Sequence, residues 1–153
     1  MRILLYKGIS PFSHGIRFQT RCDYSHAAIE LPDMRVVEAL FWDGVVLADS
    51  FESNHTKGTH VDTYTINAPD FNHAKAEAFA LESVGMPYDK MSIFRFLTHT
   101  PARENGKYFC SEHVLETCIE GGERLQRGDT AQMPPRDVYR AVGLTKIMTR
   151  VVL

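Results

Sequence analysis

The chain has 153 residues, and 17 Lys and Arg stand against 19 Asp and Glu, which gives a formal net charge of −2. A hydrophobic share of 44% and a charged share of 24% are ordinary for a folded domain and argue against intrinsic disorder. The balanced charge argues against a nucleic-acid partner, and no apolar run reaches the roughly 18 residues that a membrane-spanning helix needs.

The length and the absence of repeats or linkers in the sequence predict a single domain over residues 1–153. The apolar start, residues 1–7, is too short for the core of a secretory signal. We therefore expect a cytoplasmic protein as synthesised, with any export following a non-standard route or a phage lysis apparatus. The odd cysteine count, formed by Cys22, Cys110 and Cys118, argues against a disulfide framework and leaves room for one specialised thiol.

The first half of the chain alternates short apolar runs with turn signals, which is typical of strands. Ser10 and Pro11 form a helix start, and the helix is expected to end near Thr20, packed on a sheet. The run over residues 60–66 alternates β-branched and polar residues, which predicts a strand with one solvated face. Strands are predicted over residues 2–6, 25–31, 34–41, 45–47 and 60–66, with the second and third forming a hairpin.

The second half is dominated by helical spacing. Residues 70–84 predict a helix ended by Gly85, and a second helix starts at Cys110 and ends at residues 121–122. The first of these helices is expected to bury Phe71, Ala74, Ala78 and Leu81. Residues 86–98 predict a short helix or packed loop, a short helix opens at Pro134, and residues 144–153 form a last strand. Strands followed by helices and one strand predict an α+β fold.

Cys110 is the strongest candidate for a reactive residue. It stands at the predicted start of a helix, after a loop that contains Gly106. The positive end of the helix dipole and the free N–H groups there lower the pKa of a thiol and can bind an oxyanion. The alternative is a small buried hydrophobic residue, which is the commonest fate of a free cysteine.

A nucleophilic cysteine needs a base, and His26 is the best placed of the seven histidines because it opens a predicted strand. Glu38 and His26 are equally distant in sequence from Pro32. A hairpin centred there pairs them directly, with β carbons about 5 Å apart. Glu38 is also a carboxylate inside an apolar run, residues 36–40, where such a group usually has a partner. The alternatives are a half-buried structural histidine and an outward-facing glutamate.

Five short motifs occur in an order that resembles the circularly permuted papain-fold hydrolases, relatives of NlpC-type cell-wall peptidases and of lecithin:retinol acyltransferase. The matching stretches fall between residues 2 and 118. They read ILLYKG at 3–8, YSHAAI at 24–29, VVEA at 36–39, GMPYD at 85–89 and YFCSEHV at 108–114.

The resemblance implies a permuted papain-like α+β fold, with an antiparallel sheet or small barrel packed against helices. It implies a thiol protease or amidase with Cys110 as nucleophile, His26 as base and Glu38 as orienting residue. Tyr88 matches a family tyrosine that faces the oxyanion or substrate, and Tyr24 is a weaker candidate for the same role. No cofactor or metal is expected, and the partner is a peptide or acyl-containing substrate, such as a peptidoglycan stem peptide.

Two other functions remain open. A lipid thioesterase or acyltransferase would need an apolar channel, for which residues 91–97 are candidates, although core packing is the favoured explanation of these residues. Residues 12–18 are a candidate membrane contact. A non-catalytic structural or binding domain, for example a phage component, is the third reading. The oligomeric state is not indicated, and residues 121–153 receive no role.

Two further histidine patterns were weighed and set aside. His55 and His60 lie near three acidic residues, but their spacing matches no standard zinc pattern, so a solvated loop is favoured. His113 follows Cys110 on the same predicted helix and points away from it by helical geometry, so it is not assigned as the base.

Overall fold

One antiparallel sheet organises the chain in the computed structural model, which describes residues 1–89, 109–123, 138, 140 and 143–153. The strand order is β4-β3-β2-β1-β5-β6, so the described strands form an open sheet rather than a barrel. The strands are β1 Arg2–Lys7, β2 His26–Glu30, β3 Val36–Leu40, β4 Gly44–Ala48, β5 His60–Ile66 and β6 Leu144–Val151.

Three helices complete the α+β architecture in the described part of the chain. They are α1 Pro11–Thr20, α2 His73–Glu82 and α3 Cys110–Glu120. Ser10 caps α1 as expected, because its hydroxyl accepts the N–H of Ser13. No helix in the described ranges is long and apolar enough to cross a membrane.

The two faces of the sheet carry separate apolar clusters. Alternate residues such as Ile3, Ala27 and Val37 pack against α2 and α3, which contribute among others Val114 and Leu115. The residues between them point to the other face. They form a cluster of Leu4, Tyr6, Ala28, Val36, Ala48, Val61 and Val152 with Phe51 against it.

A loop over residues 49–59 covers this second face. The hydroxyl of Tyr6 donates to the carbonyl of Phe51 at 3.2 Å. Main-chain hydrogen bonds also join Gly58 and Thr59 to Val152 at the end of the chain. The loop is therefore attached to the sheet at several points, and its side chains reach the cluster around Tyr6.

Two buried faces were predicted wrongly. Strand β5 has no solvated face, since Asp62 and Thr63 are fully buried where β5 lies between β1 and β6. Helix α2 buries Ala76 and Ala80, whereas Leu81 is 40% exposed. Alanines recur at every second position from 74 to 80, so their spacing is compatible with more than one helical face.

Helix α1 is also less buried than expected. None of its residues is buried, and Phe18 is 86% exposed. The helix has few large apolar side chains, so it has little to bury against the sheet. The predicted channel candidates at residues 91–97 and the helix expected to open at Pro134 lie outside the described residues.

Candidate functional site

Cys110 is the first residue of α3. Phe109 precedes the helix in an extended conformation, and its backbone N–H donates to the carboxylate of Glu112 at 3.3 Å. Val114 and Leu115, one turn further on, are buried against the sheet and hold the helix on β2 and β3. The predicted position of Cys110 at a helix N-terminus is confirmed.

The thiol of Cys110 meets three groups of its surroundings. The ring of His26 and the backbone N–H groups of Ala27 and Ser111 lie around the sulfur, and hydrogen bonds from them act on the pKa of the thiol. Burial opposes ionisation of the sulfur, but the charge of His26 and these hydrogen bonds outweigh it and lower the pKa of Cys110. The thiol of Cys110 is therefore more acidic than an ordinary cysteine.

The ring of His26 lies between the sulfur and a carboxylate. Its Nε2 is 2.8 Å from Oε2 of Glu38, which leaves Nδ1 as the nitrogen that faces the thiol. Burial alone would lower the pKa of His26, but Cys110 and Glu38 raise it to about 10. The arrangement favours an imidazolium that donates one N–H to each neighbour.

Glu38 is fully buried and is the centre of a hydrogen-bond network. Its Oε2 accepts from His26 and from Nε2 of His55 at 2.9 Å, while its Oε1 accepts from Asn54 at 3.2 Å. Burial would raise the pKa of Glu38, but the hydrogen bonds from the two imidazoles lower it to about 2. Glu38 is therefore a stable carboxylate that is hydrogen-bonded to His26.

Sequence reasoning missed His55, which it assigned to a solvated loop. The loop over residues 49–59 places the side chain of His55 only 12% exposed, with its ring stacked on Tyr6 at a centroid distance of 3.9 Å. His55 belongs to no periodic element, so no spacing rule could have joined it to Glu38. His60, which sequence reasoning also left without a metal role, is exposed on β5.

Tyr88 reaches the same site from the segment after α2. Its side chain hydrogen bonds to the backbone of Cys110, and burial is the main cause that raises the pKa of its phenol. Backbone bonds tie this segment to β4: Val45 donates to Met86, and Gly85 donates to Val45, both at 2.8 Å. Gly44 has φ +79, and a β carbon there would lie 2.3 Å from the Met86 carbonyl oxygen.

The other predicted tyrosine takes part in a different network. The hydroxyl of Tyr24 donates to Asp62 at 2.7 Å and lies 2.9 Å from the hydroxyl of Tyr64. Asp62 also pairs with Lys7 and Lys146. These contacts give Tyr24 a structural explanation that needs no substrate.

His113 is fully buried on α3. Its Nε2 lies 2.7 Å from the hydroxyl of Ser83, and burial lowers the pKa of the ring to about 4. A neutral histidine bonded to a serine of α2's C-terminal cap is a packing element between α2 and α3.

A row of aromatic rings leads away from Tyr88 toward solvent. Phe41 lies 5.7 Å from the ring of Tyr88, 4.7 Å from Trp42 and 5.7 Å from Phe12. Trp42 is 80% exposed and Phe12 is 54% exposed. We call Phe12, Phe41, Trp42 and Tyr88 the aromatic row.

One cluster in the described residues has the donor set of a metal site. One ligand atom each from His26, Glu38 and His55 lies within 4.8 Å of the others. Two imidazoles and a carboxylate are ligands that zinc and related ions accept. The sequence predicted no metal, and it missed this cluster because it missed His55.

Neither a family model nor a curated protein matches this sequence. In structure, the chain is similar to the metalloprotein YiiX from Escherichia coli O157:H7, a DUF1105 protein, with a TM-score of 0.73 and 18% sequence identity. The similarity covers 98% of this chain and 96% of that chain. At this identity the likeness shows a shared fold.

Proposed function

We propose that this protein is a cysteine hydrolase that cleaves an amide bond through an acyl-enzyme on Cys110. The observation that carries the proposal is that Nε2 of His26 lies 2.8 Å from Oε2 of Glu38 while the same ring acts directly on the thiol of Cys110 and lowers its pKa. This arrangement supports the roles of Cys110 as nucleophile, His26 as base and Glu38 as orienting carboxylate. The order of these elements, with the histidine strand before the cysteine helix, supports a circularly permuted papain-like domain.

The first chemical step uses the acidity of the thiol. The thiolate of Cys110 attacks the carbonyl carbon of the substrate, a C–S bond forms, and the carbonyl π electrons move to oxygen. The N–H of Cys110 and the hydroxyl of Tyr88 now hydrogen bond to each other, and both are free to donate to that oxyanion once substrate replaces their mutual bond.

The remaining steps return the site to its starting state. The imidazolium of His26 gives its Nδ1 proton to the leaving amine as the C–N bond breaks, which leaves a thioester. Water then attacks the thioester while His26 takes a proton from it, and the C–S bond breaks to restore the thiolate. Glu38 keeps the ring oriented throughout.

Mass spectrometry of trapped intermediates tests the proposal. The intact protein is incubated with peptidoglycan stem peptides and quenched in acid, and we expect an acyl adduct on Cys110. Cys110→Ala should abolish the adduct and lower turnover by several orders of magnitude, whereas Cys118→Ala, a buried cysteine in the core, should retain both. Unchanged function in Cys110→Ala would instead indicate a binding domain.

The aromatic row favours a second candidate substrate, an acyl thioester or ester of a lipid. Exposed rings that continue from Tyr88 offer an apolar surface to an acyl chain beside the sulfur. In this case Trp42→Ala should raise KM for acyl thioesters with increasing chain length and leave KM for short peptides unchanged. The matched control is Phe18→Ala, which removes an exposed ring at the end of α1 opposite to Phe12. An equal effect of both variants would contradict this substrate class.

A further inference from the structure

The network around Glu38 contains more ligand atoms than a catalytic triad uses. A triad needs one imidazole on the orienting carboxylate, yet Oε2 of Glu38 is contacted by Nε2 of both His26 and His55. The second imidazole comes from a separate loop, residues 49–59, and its hydrogen bond goes to the carboxylate. Its presence calls for a role beyond orienting His26.

We propose that His26, Glu38 and His55 bind one divalent ion of the zinc type, and that ion binding holds the hydrolase inactive. The second half of this statement rests on the proposed function, whereas the first half does not. The candidate ligand atoms are Oε2 of the carboxylate and Nε2 of each imidazole, which lie 2.8 and 2.9 Å from that oxygen.

The distances suit an ion with short bonds. The two nitrogens lie 2.8 and 2.9 Å from Oε2, and zinc bonds to nitrogen and oxygen are about 2.0 Å long, so a small outward movement of the side chains admits the ion. Imidazole ligands select zinc, cobalt, nickel or copper over magnesium and calcium. The imidazole side chains are 15% and 12% exposed, which gives the ion access from one side.

The groups around the ligands are also those of a metal site. Asn54 donates to Oε1 of Glu38, which leaves Oε2 as the single ligating oxygen. The ring of His55 is fixed by stacking on Tyr6. Such outer contacts orient ligands and strengthen ion binding.

Ion binding and thiol catalysis compete for the ring of His26. In the hydrolase, Nε2 carries a proton toward Glu38 and Nδ1 exchanges a proton with the sulfur. An ion takes the place of the Nε2 proton, and the neutral ring then carries its remaining proton on Nδ1. That ring has no lone pair with which to accept a further proton, so the ion-bound protein lacks its base.

Calorimetric titration of the chelator-treated protein with Zn²⁺ tests the site without reference to activity. We expect one ion per chain, and affinity at least about a hundredfold lower in His55→Gln and His26→Asn. His60→Gln, an exposed histidine of the same chain, should bind like the unchanged protein. Circular dichroism establishes that each variant is folded. Equal affinity in His55→Gln and His60→Gln would overturn the assignment.

Cobalt spectroscopy and Cys110→Ala separate this site from a thiolate site. Bound Co²⁺ should show ligand-field absorption without a thiolate charge-transfer band, and Cys110→Ala should bind the ion with unchanged affinity. A charge-transfer band, or loss of binding in Cys110→Ala, would show that the sulfur is a ligand and overturn the proposed donor set.

Turnover measured with Zn²⁺ and after chelation tests the inhibition. We expect loss of turnover on loading and recovery on chelation. Full turnover with one bound ion would overturn the inhibitory half of the inference. Binding of one ion by a protein without hydrolase activity would refute the proposed function and leave the ion site in place.

Discussion

His26 lies diagonally across the β2–β3 hairpin from Glu38, and the two side chains still meet at 2.8 Å. The residue directly opposite Glu38 is Ala28. The hairpin is centred on Asp33, one residue beyond Pro32, so each strand partner shifts by two positions and both side chains remain on one face of the sheet. Pairing of β2 with β3 ends at Ala28, and the Cys110 thiol accepts the N–H of Ala27 just beyond it.

The first prediction concerns the acidity of the thiol. His26→Asn removes the imidazolium that lowers the pKa of Cys110, so burial should raise that pKa above its ordinary value. Alkylation of Cys110 by iodoacetamide at about pH 6 should then slow by about a hundredfold or more. The measurement is the rate of alkylation against pH, with His60→Gln as control. If His26→Asn and His60→Gln gave superimposable curves, His26 would not form an ion pair with Cys110.

The alkaline limit of turnover should be set by His26. Its pKa is raised from 6.5 to about 10, so the imidazolium that protonates the leaving group persists until the pH approaches that value. The same shift contributes stability that is complete below pH 6.5 and is lost as the pH rises toward 10. Turnover against pH should fall near 10 in the unchanged protein.

Glu38→Gln serves as the test of that limit. The neutral amide no longer stabilises the imidazolium through charge, so the descending limb should move to lower pH. A limb that stays in place would show that another group, and not His26, controls the alkaline side.

Glu38 should also govern part of the acid stability. Its pKa is about 2 in the folded chain against an ordinary 4.5, so its contribution is present above pH 4.5 and is lost as the pH falls to 2. The difference in unfolding free energy between the unchanged protein and Glu38→Gln should shrink across this window. Denaturant unfolding at several pH values measures it, and Glu82→Gln, an exposed carboxylate of α2, should show no such trend.

The phenol of Tyr88 should affect the turnover rate and leave the pKa of the Cys110 thiol unchanged. Tyr88→Phe removes one donor to the oxyanion, which should lower kcat by about a hundredfold while the alkylation curve of Cys110 stays in place. Tyr24→Phe is the matched control, since its hydroxyl binds Asp62 and its loss should cost about 1 kcal/mol of stability. If Tyr24→Phe slowed turnover more than Tyr88→Phe, the roles of the two tyrosines would be reversed.

Local sequence signals were sufficient for the element boundaries and insufficient for contacts between elements. Ser10 and Pro11 marked the start of α1, and Cys110 was correctly expected at the start of a helix. The predicted partner of Glu38 was wrong by two positions because the hairpin is centred on Asp33, one residue beyond Pro32. His55 could not be found, since a loop histidine acquires its partner only when the sheet brings Glu38 beneath it.

Gly44 of β4 lies close to the Met86 carbonyl, and Met86 belongs to the segment that carries Tyr88. The phenol of Tyr88 and the sulfur of Cys110 are therefore positioned by different parts of the sheet. Cys110 depends on β2, whereas Tyr88 depends on the outermost strand, β4. Evolution could therefore adjust transition-state stabilisation through residues at that border and leave nucleophile acidity untouched. Gly44→Ala would change the stabilisation of the transition state by Tyr88 and leave the acidity of Cys110 unchanged.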